Sequence, residues 1–119
     1  MAEDEVVDRA VLDDLLQTLG GDRSFLAELI DTYLDDTPHQ LALMRRALEV
    51  GNAEELQRAA HTLKSNSSHF GATTLSSMCK ELEALSKNGE LTGAAEQIEE
   101  IEAGYTRVRY ALQAAYLAT

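Results

Sequence analysis

Apolar residues recur at steps of three and four along almost the whole chain, and glycine signals cut that rhythm into pieces of helix length. Leu12, Leu15, Leu16 and Leu19 share one face of a short helix predicted over about Asp8 to Leu19, which Gly20-Gly21 stops. Asp22 is a suitable N-cap for a second helix with Phe25, Leu26, Leu29, Ile30, Tyr33 and Leu34 on one side. That helix meets Thr37-Pro38, where a kink or a break is expected, and resumes with Leu41, Met44 and Leu48 before Gly51. Asn52 caps a third helix over about Ala53 to Phe70, with the line Leu56, Ala60, Leu63, Ser67 and Phe70, and Gly71 ends it. A fourth, about Thr74 to Lys87, repeats Leu75, Met78, Cys79, Leu82 and Leu85 and ends at Asn88-Gly89. The last, about Thr92 to Leu117, repeats Ile98, Ile101, Tyr105, Val108, Leu112 and Ala115 and tolerates Gly104 at modest cost.

Composition points the same way. Leu (18) and Ala (17) far outnumber Val (5) and Ile (3), and there is one proline, so helix formers dominate and strand formers are scarce. The expected fold is all-α: an antiparallel four-helix bundle with a short additional N-terminal helix, one domain over residues 1–119 with its core at about 11–117. Met78 and Cys79 read as core filler. The turns are short, so any chemistry must sit on a helix face.

Charge narrows the partners. With 21 acidic and 10 basic side chains the formal charge is -11, the wrong sign for nucleic acid or for an anionic membrane surface. A single cysteine precludes an internal disulfide framework. No apolar run approaches the roughly 20 residues that cross a bilayer. The acidic opening, Met1 to Asp8, is unlike a signal peptide. A cytoplasmic domain, expected to be monomeric, remains.

The acids are uneven. Residues 1–36 hold eleven against two bases, and from Leu56 to Lys80 there is no Asp or Glu, although Arg58, Lys64 and Lys80 fall inside. Chance and a buried helix would produce such a gap, and so would a surface kept free of carboxylates.

Histidine is the side chain whose ordinary pKa lies near neutrality, and there are three. His39, after Pro38, reads as a solvated turn residue, and His69 suits a helix C-terminus. His61 differs. At about 100° per residue it lies roughly 140° from the centre of the third helix's apolar stripe, facing solvent. Gln57, Lys64, Ser65 and Ser68 are its neighbours at offsets of three and four or on the same side. An exposed imidazole beside an ammonium and small hydroxyls, without a carboxylate, suits covalent capture of a phosphoryl group on a ring nitrogen. A metal site lacks further ligands on that face, and a Ser-His hydrolase lacks an orienting acid, an oxyanion hole and a pocket. On composition alone, an ordinary surface histidine on a helical adaptor remains the more frequent case.

The run Ala59-Ala60-His61-Thr62-Leu63-Lys64-Ser65-Asn66-Ser67-Ser68-His69-Phe70-Gly71-Ala72 resembles the signature of histidine-containing phosphotransfer (HPt) domains, roughly A-H-x-L-K-G/S-x-S/A-x-x-h-G-A. It matches at Ala60, His61, Leu63, Lys64, Ser67, Gly71 and Ala72. Leu75, Cys79, Leu82 and Glu83 are similar to that family's following helix, and Phe25-Leu26-x-x-Leu29-Ile30 with Asp36-x-Pro38 to its opening helices, so the resemblance spans about Val11 to Leu112. It implies that His61 accepts a phosphoryl group from a receiver-domain aspartyl phosphate and passes it to another receiver, with Lys64 as charge partner. Ser65 takes a position that is often glycine in the family, and Glu83 one from which a side chain orients the histidine. The resemblance further implies no kinase activity of its own and Mg²⁺ on the receiver instead of on this chain. The receiver is expected to dock on the second and third helices around His61, with Gln57, Arg58, Thr62, Ser68 and Leu34 as contacts. An adaptor that binds receivers without transfer, or the HPt module of a larger histidine kinase, are the alternatives.

Overall fold

A computed structural model describes residues 6–117; the acidic opening at residues 1–5 lies outside the described residues. Five α-helices follow in order: α1 Arg9–Thr18, α2 Arg23–Val50, α3 Ala53–His69, α4 Thr73–Lys87 and α5 Ala94–Leu112, the last continued by a π-helical turn Gln113–Leu117. Helices α2 to α5 form the expected antiparallel bundle. Each touches its two neighbours around a ring, α2 on α3, α3 on α4, α4 on α5 and α5 back on α2.

Asp22 and Asn52 cap α2 and α3 as expected, and Asp8 caps α1. Asp8, Asp22 and Asn52 each accept a backbone N–H of their own first turn, from Ala10, Phe25 and Glu55, which satisfies donors that a helix start leaves free. The apolar stripes meet in one core: Leu12, Leu26, Ile30, Met44, Leu56, Leu63, Leu75, Leu82, Ile98, Ile101, Val108 and Leu112 are fully buried. Cys79 is packed among them, and burial pushes its thiol up to about 12. Truncating one such leucine costs about 2–5 kcal/mol.

Three boundaries differ from expectation. Helix α2 does not break at Thr37-Pro38 but runs through as 28 residues, about 42 Å at 1.5 Å each, which matches the 43 Å long axis. Proline cannot supply the N–H that would bond the carbonyl four residues back, at Leu34. That carbonyl instead accepts the Tyr105 hydroxyl of α5 at 2.6 Å, and the Thr37 hydroxyl donates to the Tyr33 carbonyl at 2.7 Å. His39 therefore stands exposed in mid-helix, not in a turn. Helix α5 starts at Ala94, after Gly93 in a left-handed conformation, and gives way to π geometry at Gln113. Gly104 does more than tolerate its place, since a Cβ there would stand 3.2 Å from Met78 Cε and 3.4 Å from Leu75 Cδ1.

The turn after α3 is held from outside. Gly71 has φ +77°, and a Cβ would come within 2.7 Å of the Asp8 carbonyl oxygen, while the Asp8 N–H donates to the Gly71 carbonyl at 2.8 Å. Only glycine meets both demands. The N-terminal segment thereby ties α1 to the α3–α4 turn, the end of the bundle toward which the face bearing His61 runs.

Candidate functional site

Helix α3 buries Leu56, Ala59, Ala60, Leu63 and Ser67, and the rotation that turns them inward turns His61 outward. Its side chain is 58% exposed. The same geometry places Arg58, Ser65 and Ser68 in solvent and leaves Gln57, Thr62 and Lys64 half-buried. Leu34 does not belong with them. It is buried on the core side of α2, because the face carrying Ile30, Tyr33 and Leu34 packs inward, so it is unavailable to a docking partner.

The surroundings of His61 are not carboxylate-free. Helix α4 returns antiparallel to α3 and brings Glu83 alongside. Glu83 Oε2 lies 2.8 Å from His61 Nδ1, and Glu83 Oε1 lies 2.8 Å from Lys64 Nζ. The acid-free run in the sequence ends at Lys80, one helical turn short of the residue that matters, so a count along the chain missed a neighbour supplied by the next helix. Lys64 is correspondingly no free ammonium but half of an ion pair. Ser76 Oγ, near the start of α4, donates to the Lys64 carbonyl at 2.9 Å and ties the two helices beside the site.

The protonation pattern follows. The Lys64 hydrogen bond, helped by that of His61 and opposed by partial burial, holds the Glu83 carboxyl below the usual carboxylate range. Glu83 is then an acceptor only, so Nδ1 of His61 carries the proton and donates it. In the neutral ring this contact favours the tautomer whose lone pair is on Nε2. Beneath α3 the polar chemistry is structural: Tyr33 Oη and Ser67 Oγ are 2.7 Å apart in the core, and Tyr33 stacks on Phe70 with centroids 5.0 Å apart. His69, in the last turn of α3, meets Phe70 edge-on.

Among the described residues no cluster of three His, Cys, Asp or Glu side chains is arranged to hold a metal ion, and no helix is long and apolar enough to cross a membrane. Two open depressions flank His61. One lies between α3 and α4 and is lined by Lys64, Ser65, Ser68, His69, Ser76 and Lys80, with Val11 of α1 at its edge. The other lies between α2 and α3, with Leu43, Arg46, Arg58, Ala59 and Thr62 in its walls. Neither is an enclosed substrate pocket.

A convex helix that presents a solvent-facing imidazole held by a carboxylate suits a covalent group carrier. Residues 28–111 match the model of the Hpt domain, and the chain belongs to that family of histidine phosphotransfer proteins of two-component phosphorelays. It is similar to the crystal structure of histidine-containing phosphotransfer protein B from Pseudomonas aeruginosa PAO1, with a TM-score of 0.88 and 32% sequence identity over 96% of each chain. No curated protein sequence matches it.

Proposed function

We propose that His61 is the phosphoryl-carrying residue, taking the group from an aspartyl phosphate of one receiver domain and passing it to another. The 2.8 Å contact of Glu83 with Nδ1 is the observation that supports this most, because a ring that donates through Nδ1 has Nε2 available as the nucleophile. In the transfer the Nε2 lone pair attacks phosphorus, the bond from phosphorus to the aspartyl oxygen breaks, and its electrons return to the aspartate as carboxylate. The Nδ1 proton stays in place, so no base is required. The positive charge that develops on the ring is stabilised by Glu83, and the phosphoryl oxygens draw on Lys64.

Lys64 must then divide itself between Glu83 and the phosphoryl group, which its position one turn from His61 permits. Ser65, small and exposed, leaves room for the incoming receiver. The receiver supplies the acceptor aspartate and the Mg²⁺, and this chain supplies neither a nucleotide site nor kinase activity. It acts as a monomer in the cytoplasm, where receivers meet it in turn. Incubating the purified protein with a phosphorylated receiver tests the reading. Label that appears on the wild type and is absent from His61→Gln supports it; label that persists in that variant, or never reaches the wild type, overturns it.

A further inference from the structure

The charge of -11 is not shared by the surface around His61. In the α3–α4 depression Lys64, Lys80 and His69 meet the hydroxyls of Ser65 and Ser68 with no carboxylate in the lining. In the α2–α3 depression Arg46 and Arg58 flank the 39%-exposed Leu43. Its one carboxylate, Glu55, accepts a hydrogen bond from the Asn52 amide at 3.0 Å. Glu83, between the two depressions, is neutralised by Lys64 and the His61 N–H. Among the described residues Arg46, Arg58 and Lys80 take part in no ion pair. The contrast with their neighbour Arg45 is sharp, since its guanidinium is matched in two bonds, at 2.9 and 2.7 Å, by Glu102 of α5. Two unpaired guanidiniums facing one groove repel each other, and an external carboxylate would relieve that repulsion.

We infer that these depressions form one bipartite docking surface selective for receivers with an acidic rim around the phosphoacceptor, and that Arg58 and Lys80 are its specificity-determining residues. The inference rests on the phosphorelay reading and deepens it. Arg58 lies one turn before His61 on α3, and Lys80 one turn before Glu83 on the antiparallel α4, so they flank the imidazole on opposite sides. The partner's chemistry supplies the complement. A receiver must gather carboxylates to hold Mg²⁺ beside its phosphoryl group, and its docking edge is negative wherever that cluster extends to the rim. An acidic partner is repelled at long range by the rest of this chain. The local cations turn that repulsion into orientation, because an approach onto the α2–α3–α4 face meets Arg58, Lys64 and Lys80 around the imidazole. Leu43 supplies an apolar contact within this polar rim.

The test measures phosphotransfer by phosphorylated receivers from the same genome, sorted by the charge of their rim, to the wild type and to Arg58→Glu, Lys80→Glu and Arg107→Glu. The last makes the same change in net charge at a remote, exposed site on α5. For acidic-rimmed receivers at low salt, Arg58→Glu and Lys80→Glu are each expected to lower kcat/KM roughly tenfold. The deficit should close near 1 M salt, where screening reaches about 3 Å. Arg107→Glu should transfer as the wild type does. Reversing an acidic rim residue of the receiver to lysine should rescue Lys80→Glu or Arg58→Glu. Equal losses in all three variants, losses insensitive to salt, or unchanged transfer in the two site variants would each overturn the inference. If the wild type binds a receiver yet takes no label, the phosphotransfer reading fails on its own, and calorimetric affinities of the same variants still decide the surface.

Discussion

Helix α3 carries a hydrogen-bonded polar cluster on each of its two faces. Inside, the Tyr33 and Ser67 hydroxyls meet at 2.7 Å with both residues buried, and desolvation holds the Tyr33 phenol well above its usual range. Outside, His61, Glu83 and Lys64 form a chain of two contacts of 2.8 Å, with side-chain exposures of 58, 19 and 28%. The distances are nearly the same and the roles are opposite. Within the core an unpaired hydroxyl has no water to turn to, so the inner pair is a pin whose value is stability. At the surface each contact can be exchanged for water at little cost, which suits the outer cluster to the phosphoryl chemistry proposed for it.

Breaking the outer cluster should abolish function and spare the fold. His61→Gln is expected to lose phosphoryl labelling completely while its Tm stays within about 2 °C of the wild type, as suits an exposed site; a large fall in Tm would erase the distinction between the faces. Ser65→Leu should fold and yet fail to accept phosphate, by roughly a hundredfold or more, because the branched side chain obstructs approach over the ring. Normal transfer by that variant would show that the receiver does not close over this side of His61.

Glu83→Ala should slow transfer by an order of ten, the effect typical of a group that orients a histidine. Its signature is a nitrogen NMR spectrum in which His61 no longer shows one dominant tautomer. Glu83→Gln, which can still accept from Nδ1, should recover part of the loss; equal defects in both variants would assign Glu83 a charge role alone. Lys64→Ala should cost somewhat less, about fivefold to tenfold, and shorten the phosphohistidine lifetime.

The inner face gives the reciprocal result. Tyr33→Phe should destabilise the bundle by about 1–2 kcal/mol, roughly a 5 °C fall in Tm, and leave transfer within about twofold of the wild type. The smallest effect is in pH. Since the folded state holds the Glu83 carboxyl low, chiefly through Lys64, its contribution to stability is fully present above the ordinary carboxylate range. It is lost as pH falls through the lowered folded value. The Tm difference between wild type and Glu83→Gln should therefore be constant from neutrality down to about pH 5 and shrink below about pH 4. A difference that vanished nearer neutrality would contradict the ion pair.

Much of this molecule was legible before any coordinates. Asp22 and Asn52 act as caps because capping is decided within one turn of backbone. The exposure of His61 follows from its angle to Leu56, Ala60 and Leu63 on the same helix. The uninterrupted α2 was not legible. The carbonyl that Pro38 leaves free is satisfied by Tyr105, 71 residues from Leu34, and nothing local to Thr37-Pro38 announces that bond. Leu34 was misplaced for a related reason, since its ring of apolar neighbours marks a buried face but not which helix covers it.

By itself the sequence determined the all-helical class, the caps at Asp22 and Asn52, the outward turn of His61 and the charge of its own-helix neighbours, because each is set by backbone preferences and apolar periodicity over a few residues. Whether His61 had a carboxylate beside it was decided only by the antiparallel return of α4. Packing across a turn joins residues 22 positions apart, and along the chain Glu83 is one acid among others. The local absence of carboxylates between Leu56 and Lys80 is real, and tertiary structure supplies the one that contacts His61 Nδ1 at 2.8 Å.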